Sequence, residues 1–191
     1  MAAVARQRMI EGAVQLLAQR GLQATSFSEV IALTKAPRGS IYHHFPDGKD
    51  QLVGEAVALA GQRTRARMAE LEGEPAAGVA AAFLGLWRAL LVQLDFSTGC
   101  SVAAVTVATD SADLVEAAGR VFRGWTGELE SLLVSGGVRH EAAKALATTL
   151  IAGAEGAVIV TRATCDIDDF DAVAQQLMNL VAAASAPEPQ D

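Results

Sequence analysis

The sequence predicts an all-α fold, and three of its features lead to this prediction. The chain has 191 residues, of which 51% are apolar, 19% charged and 5% aromatic, a balance typical of a globular protein. Ala-rich stretches recur along the chain, and Ala has the highest helix propensity of all residues. In several segments apolar residues return every three or four positions, which is the pattern of an amphipathic helix.

Composition also narrows the class of protein. No uncharged stretch reaches the roughly 18 to 20 residues that a membrane-spanning helix needs. Arg6 and Arg8 precede a segment interrupted by Glu11, which is unlike a secretion signal. Two cysteines, Cys100 and Cys165, are too few for a disulfide framework in a chain of this length. We therefore expect a cytoplasmic protein without a membrane partner.

Charge is distributed unevenly along the chain. The net charge is −7, but residues 1–67 hold nine Lys or Arg against five Asp or Glu, which gives this segment +4 and the remainder −11. A positive segment attached to a negative body can face a phosphate backbone while the body is repelled from it. The charge pattern is weak support for a nucleic-acid partner until a motif coincides with it.

The first helices follow from apolar spacing and capping residues. A first helix is indicated by the apolar stripe Ile10, Ala13, Val14 and Leu17. Gly21 suits its C-terminus. A second, short helix begins at Ser26, because Ser26 and Glu29 have the spacing of a capping box, and it ends near Leu33.

The next elements complete a recognisable motif. Residues 34–36 are a turn, and Pro37 fits the first turn of a third helix, where its missing N–H costs nothing. A fourth helix begins at Asp47, with Asp50 in the capping-box position. Two short helices joined by a tight turn, after one amphipathic helix, predict a helix-turn-helix over about residues 26–45.

The third helix has residue types suited to reading DNA. It carries Arg38, Gly39, Ser40, Ile41, Tyr42, His43 and His44. Arg38 can bond guanine O6 and N7 as a fork, and Ser40 or His43 can reach base edges. Gly39 has no side chain, so the helix can approach a duplex closely.

Other residues of this region suit the DNA backbone. Tyr42 and Lys49 are of the types that bind phosphates, and Lys49 lies near the positive end of the fourth helix. The adjacent His43 and His44 could suggest a metal, but neighbours on a helix diverge and no Cys or carboxylate lies at ligand spacing. For His44 we expect packing or phosphate contact beside Phe45.

Two stretches resemble a known family. Leu17–Ser26 and Pro37–Phe45, followed by a Lys that opens the next helix, resemble the N-terminal domain of TetR-type (tetracycline-repressor-like) transcriptional regulators. The insertion Pro46–Asp50, one residue longer than the family's commonest form, and Gly99-Cys100 before an Ala/Val-rich helix resemble the subgroup related to lincomycin-resistance repressors. The clear resemblance covers about the first 65 residues.

The resemblance implies roles for individual residues. Bases are contacted by residues matching Arg38, Ser40 and His43. The implied phosphate contacts come from Tyr42, Lys49 and either Thr25 or Ser26. Residues 34–36 depart from the family's usual turn sequence, and Ala36 is a poor cap, so the role of Lys35 stays open.

Gly73 and Pro75 mark a boundary, after which five further helices are expected. The expected domains are a DNA-binding domain at 1–50, a connecting helix at 51–72, a ligand-binding and dimerisation domain at 73–185 and a disordered tail at 186–191. The five helices are predicted at 76–94, at 100–109 (apolar nearly all round, hence buried), from 110 or 111 to 135, at 141–164, and from the acidic segment 166–171 to about 184.

The last two helices, at about 141–184, predict a dimerisation surface. Small residues occupy nearly all sides of the helix at 141–164, and an apolar helix of this kind needs a partner. We expect the pair to form a four-helix bundle with its copy, with ordinary intramolecular packing as the alternative. A helix-turn-helix that reads a short half-site also gains specificity by two-fold pairing.

Several large side chains of the C-terminal part could line a ligand cavity, or could be simple core. They are Phe83, Trp87, Phe96, Phe122 and Trp125. Arg88, Arg123 and Glu155 could add polar contacts. Cys100 could sense oxidants, although a buried inert thiol is the more common case.

These features predict a homodimeric transcriptional repressor, released from a palindromic operator on double-stranded DNA by an unknown apolar small-molecule inducer. We expect no catalytic residue, cofactor or metal. One alternative is an enzyme, but no nucleophile–base motif and no Gly-rich phosphate loop supports it, and His140 is isolated. The other is a helical ligand-binding adaptor without DNA binding.

Overall fold

The computed structural model describes residues 2–185, and side chains from Ala3 onward. The regular secondary structure of this part of the chain is all α-helix, which confirms the predicted all-α class. Its helices are α1 (Ala2–Arg20), α2 (Phe27–Thr34), α3 (Arg38–His44), α4 (Lys49–Ala69), α5 (Ala76–Gln93), α6 (Ser101–Ala108), α7 (Ala112–Ser135), α8 (His140–Thr164) and α9 (Ile167–Ser185). The expected disordered tail at 186–191 lies outside the described residues.

The chain forms two compact units, each built from two separate stretches of the sequence. The first unit contains the chain up to Arg63 together with Gly99–Phe122, and the second contains Thr64–Thr98 and the chain from Arg123 onward. The division therefore falls within α4 and α7. Helix α6, expected in the C-terminal domain, belongs to the same unit as the helix-turn-helix. Local sequence patterns do not record contacts between residues so far apart.

In the first unit, α1 packs against α2, α3 and α6. The buried side chains include Met9, Leu17, Val30, Ile41, Phe45 and Leu52. Helices α1 and α2 approach so closely at Gly12 that a Cβ there would lie 2.5 Å from Thr34 Cγ2. At the other end of α1, the Gly99 N–H donates to the Ala18 carbonyl at 2.9 Å and anchors the start of α6.

Two predicted helix starts differ from the structure in detail. Ser26 caps α2 as predicted, since its Oγ accepts the Glu29 N–H at 3.2 Å, but the Glu29 carboxylate pairs with Arg20 instead of closing a capping box. Helix α4 begins at Lys49, not at Asp47. Gly48 has φ +88°, so the chain turns there before the helix starts, and the Asp47 N–H donates to Gln51 Oε1 at 3.2 Å.

The prediction that α6 is buried on all sides was wrong. Val102 and Val105 are fully buried, in the unit where α6 packs on α1, whereas 82% of Val107 is exposed. A short helix in which only Ser101 and Thr106 are polar can therefore have one buried and one open face, which composition cannot distinguish.

In the second unit, α9 packs against both α8 and α5. One face of α8 is buried and carries small residues such as Ala143, Ala147 and Ala154. The approach is close, because a Cβ on Gly153 would lie 3.0 Å from the methyl groups of Leu177. On length and composition, α5 and α8 could cross a membrane. Core helices of soluble proteins meet the same criterion, so this observation identifies no membrane protein.

Candidate nucleic-acid interface

Helix α3 is divided between a buried and an open face. Ile41 is fully buried, and Phe45, which directly follows the helix, is 1% exposed. Tyr42 is 68% exposed, and Arg38 and His43 are also exposed. The side chains predicted to contact DNA therefore lie on the same helix as a buried residue, Ile41, whose packing fixes the orientation of the helix.

Neighbouring rings hold the exposed tyrosine. The Tyr42 ring meets Phe27 of α2 edge to face, with centroids 5.3 Å apart and planes at 79°. Phe27 in turn lies 6.4 Å from Phe45. The Arg6 guanidinium lies over the ring of Phe45, 5.2 Å from its centroid. The same guanidinium forms an ion pair with Glu55. Phe27 and Arg6 thus contact the rings of Tyr42 and Phe45, and neither was among the residues that the sequence singled out for this site.

The start of α3 is more constrained than the sequence suggested. The Ser40 hydroxyl donates to the Pro37 carbonyl at 2.7 Å, so its remaining capacity toward a ligand is as an acceptor. Beside it, Gly39 is exposed, and a Cβ there would meet nothing within 4 Å. The backbone at Gly39 is therefore open to close approach from outside.

The structure separates the two candidates at the start of α2. Thr25 is 1% exposed, and its hydroxyl donates to the Gly21 carbonyl at 2.9 Å. Its side chain closes the turn after α1, so we remove Thr25 from the candidate DNA contacts. Ser26 is half-buried at the N-terminus of α2, and its Oγ lies 2.8 Å from the Oγ of the exposed Ser28.

Lys49 and the histidines lie at the other end of α3. Lys49 Nζ donates to the Leu22 carbonyl at 2.9 Å, which fixes the side chain and leaves two N–H donors. The rings of His43 and His44 are 5.6 Å apart, and His44 lies 6.4 Å from Phe45. Within residues 2–185, no group of three His, Cys, Asp or Glu side chains could hold a metal ion.

Ion pairing divides the cations of the first unit into two groups. Arg6, Arg20, Arg63 and Arg120 each pair with a carboxylate, and in the second unit Arg65 pairs with Glu128. Arg63 and Arg65 of α4 are therefore exposed cations whose charges are compensated by carboxylates. Four other cations of the first unit form no ion pair with any carboxylate among the described residues. They are Arg8, Lys35, Arg38 and Lys49.

The sequence predicted no role for two of these four cations, Arg8 and Lys35. In the structure the Arg8 guanidinium donates to the Thr34 carbonyl, and Lys35 follows directly with φ +55°, in the left-handed region. The sequence predicted the turn at residues 34–36, but with no Gly or Asn there it gave no sign of the left-handed conformation at Lys35.

The expected ligand-binding aromatics are not gathered in one unit. Four belong to the second unit, with Phe83 and Trp125 buried, while Phe122 belongs to the first. A groove of about 280 Å³ between α5 and α9 of the second unit contains none of the five; its lining includes Arg88 and Asp171. Hence the predicted cavity stays a prediction.

Arg88, a candidate polar contact for a ligand, is instead paired. Its Nε and Nη2 donate to the two carboxylate oxygens of Asp171 at 2.7 and 2.8 Å. These hydrogen bonds and the positive charge of Arg88 hold the pKa of Asp171 below its ordinary value. Cys100 is buried at the N-terminus of α6, where its Sγ accepts the Ala103 N–H at 3.4 Å, and Cys165 is exposed.

Comparison with known proteins agrees with this geometry. Residues 9–56 match the family of bacterial regulatory proteins of the tetR type, and residues 75–176 match the C-terminal domain of LmrA/YxaF-like transcriptional regulators. An HTH-type transcriptional regulator of Mycobacterium tuberculosis is 36% identical over 185 residues, 93% of this chain and 94% of the relative. The HTH-type transcriptional regulator LmrA of Bacillus subtilis is 27% identical over 168 residues, 82% of this chain and 85% of the relative.

Solved structures share the fold. A TetR-family regulator from Agrobacterium tumefaciens superposes with a TM-score of 0.83 at 23% identity, covering 97% of this chain and all of its own. A regulatory protein TetR from Rhodobacter sphaeroides gives 0.83 at 19% identity, covering 93% and 98%. The matched families and relatives are transcriptional regulators, not enzymes. The chain therefore belongs to the TetR family of DNA-binding transcriptional regulators, with a C-terminal domain of the LmrA/YxaF-like type.

Proposed function

We propose that the protein is a homodimeric repressor that binds a palindromic operator through α3 and is released by an apolar small molecule. The observation that carries the proposal is the division of α3. Its buried residues, Ile41 and the following Phe45, anchor the helix, while Arg38, Tyr42 and His43 are exposed. A helix held in this way can enter a major groove without losing its own packing.

The side chains divide by chemistry into base and backbone contacts. Arg38 can donate two hydrogen bonds to O6 and N7 of a guanine. His43 can reach base edges, and the Ser40 hydroxyl can accept a hydrogen bond from a base. Gly39 lets the helix approach. The phosphate contacts that we propose are Ser26, Tyr42, His44 and Lys49, which set register without reading sequence.

The dimer is supported by the unpartnered faces of α8 and α9. Ile159, Val160 and Leu180 are exposed apolar residues on these helices, and 62% of Ile159 is accessible. A second copy would cover them in a four-helix bundle and carry a second reading helix to the next half-site. In this arrangement the molecule acts in the cytoplasm, where its DNA is.

Release requires coupling between a ligand and α4, which begins at Lys49. We propose that an apolar molecule bound in the second unit, with Phe83, Trp87, Phe96 and Trp125 as the candidate contacts, moves α4 and changes the spacing of the two reading helices. Phe122, which belongs to the first unit, is not among these contacts. A ligand that weakens operator binding by ~100-fold supplies roughly 2.7 kcal/mol, which is within the ordinary range of allosteric coupling.

Selection of bound duplexes from a random pool by the full-length protein tests the proposal. We expect a palindromic consensus, because two α3 helices related by two-fold symmetry read the same half-site in opposite directions. Absence of any enriched or shifted duplex at ~50 mM salt would contradict DNA binding and favour a ligand-binding adaptor.

Two variants then test the division of roles on the selected duplex. Arg38→Ala should cost ~1–3 kcal/mol and relax the base preference at one position of each half-site. Lys49→Gln should weaken selected and random duplexes by the same factor. An equal loss on both duplexes for Arg38→Ala would contradict its assignment as a base contact.

A further inference from the structure

The turn between α2 and α3 carries two cations that the proposed contacts leave unused. Lys35 is exposed and follows the last residue of α2. Arg8 of α1 is exposed as well, and its guanidinium donates to the carbonyl of Thr34, the residue just before Lys35. The Arg8 guanidinium therefore lies at the C-terminal end of α2, where the Lys35 side chain begins.

The backbone at this turn gives no reason for a lysine. Lys35 has φ +55° and ψ +28°, the left-handed conformation in which an L side chain is strained. Glycine adopts this conformation freely, and asparagine does so at low cost. Local folding alone would thus favour either of those residues over a lysine at position 35.

The charges at this turn are also uncompensated. No carboxylate within the described residues forms an ion pair with Arg8 or Lys35, although acidic residues outnumber basic ones 22 to 15 in the chain. Other arginines of the same unit, such as Arg20 and Arg63, do have such partners. Two positive groups at one turn repel each other, and an anion between or beside them would relieve the repulsion.

The position of the turn identifies the anion. Lys35 lies three residues before Arg38, the first residue of α3. In helix-turn-helix proteins the first residues of the reading helix contact bases, while the preceding helix crosses the sugar–phosphate backbone. We propose that Lys35 binds a DNA phosphate at the edge of the groove, and that Arg8 holds the turn and adds positive potential there. This inference rests on the DNA binding proposed above.

The competing explanation is that Lys35 stabilises α2, because a cation favours the C-terminus of a helix. Three variants of the full-length protein separate the two roles. Lys35→Gln removes the charge and keeps the strain, Lys35→Gly removes both, and Lys35→Arg keeps the charge. Affinity for a labelled random duplex and for the selected duplex is measured between 50 and 200 mM salt, together with the melting temperature.

We expect Lys35→Gln and Lys35→Gly to lower affinity for both duplexes by the same factor. The slope of log affinity against log salt should become shallower by about 0.9 for each protomer, the value of one lost phosphate contact. Lys35→Arg should keep the wild-type slope. Lys35→Gly should melt at or above the wild-type temperature, since it loses the strain, while binding DNA more weakly. Arg63→Gln, an equal charge change at a paired arginine of the same unit, should leave the slope unchanged.

The possible failures are distinguishable. An unchanged salt slope for Lys35→Gln and Lys35→Gly overturns the inference while DNA binding stands, as does a lower melting temperature of Lys35→Gln with a wild-type slope. A larger loss on the selected than on the random duplex overturns the phosphate assignment in favour of a base contact. If the wild type binds neither duplex at 50 mM salt, the proposed function itself fails, and this inference fails with it.

Discussion

At the scale of single residues, replacing Gly39 by Ala should raise the stability of the protein and lower its affinity for DNA. Gly39 lies on the open face of α3, where a Cβ would meet nothing within 4 Å. Gly39→Ala should therefore fold normally and gain up to ~1 kcal/mol in the free energy of unfolding, because Ala has the higher helix propensity. The added methyl group lies where the duplex must approach, so operator affinity should fall by about tenfold, or ~1.4 kcal/mol.

The measurement pairs thermal unfolding with binding to the selected duplex. Gly127→Ala in α7 is a matched control, since Gly127 is also exposed and helical with open space around it. That variant should gain stability and keep its affinity. If Gly39→Ala binds DNA as tightly as the wild type, the open face of α3 does not approach the duplex closely.

Predictions from the sequence were most accurate where a residue's role depends only on its near neighbours in the chain. Ser26 was identified as a helix cap and is one, because capping depends on neighbours three residues away. Its neighbour Thr25 carries a similar hydroxyl, yet that group is buried against the Gly21 carbonyl. The turn after α1 directs the Thr25 hydroxyl to a carbonyl four residues earlier, and the residue types alone do not distinguish this arrangement from a cap.

At the scale of elements, the crossing of α1 and α2 depends on Gly12. A Cβ at this position would lie 2.5 Å from Thr34 Cγ2, so Gly12→Ala should lower the free energy of unfolding by ~1–3 kcal/mol. Thr34→Ser removes that methyl group and keeps the hydroxyl, which donates to the Val30 carbonyl at 2.7 Å. The double variant Gly12→Ala/Thr34→Ser should recover most of the loss.

Chemical denaturation of the four proteins gives the coupling energy of this cycle. A positive coupling is expected because the two side chains would compete for one space. Additive losses would show that α1 and α2 separate to admit the extra methyl group, and would place the strain elsewhere.

The link between α5 and α9 should depend on pH in a defined direction. The pKa of Asp171 lies below its ordinary value of 3.8, through the hydrogen bonds and charge of Arg88. A lowered folded-state pKa means that the contribution is complete above about pH 4 and is lost as the pH falls through that lower value. Asp171→Asn should therefore melt a few degrees or less below the wild type at neutral pH, and the gap should close in acid.

Salt provides the control for this pair. Both side chains are about half exposed, so added salt should also narrow the gap between wild type and variant at neutral pH. A gap that widens as the pH falls would contradict the assigned direction of the pKa shift.

Element boundaries were predictable to within about two residues, but packing partners were not. Apolar spacing placed α5 at 76–94, and it covers Ala76–Gln93. The same reasoning predicted that α6 is buried, since its mostly apolar sequence does not indicate which side meets a neighbour. The start of α4 was missed because Gly48 adopts a positive φ that delays the helix.

At the scale of the whole molecule, assembly should control DNA binding. Ile159 lies on the exposed face of α8 that we propose pairs with a second copy, so Ile159→Arg would bring two charges to the interface. We expect a monomer by sedimentation and a large loss of affinity for the palindromic duplex. Val107→Arg places the same charge on α6, at a residue that is 82% exposed, and should leave the assembly intact.

The outcome distinguishes the two interpretations of α8. A dimer that survives Ile159→Arg would support ordinary intramolecular packing of α8 and α9, and would move the interface elsewhere. A stable monomer that retains full affinity for the palindrome would contradict the need for two-fold reading.

The attachment of α6 to α1 also bears on how such regulators can be recombined. A chimera made by cutting the polypeptide near residue 73, and fusing the upstream piece to another sensor, would bring a foreign helix against α1 in place of residues 101–108. The graft would leave Ala18 and its neighbours facing an ill-fitting surface. Chimeras that keep Gly99–Phe122 together with the helix-turn-helix should therefore fold better than chimeras joined near residue 73.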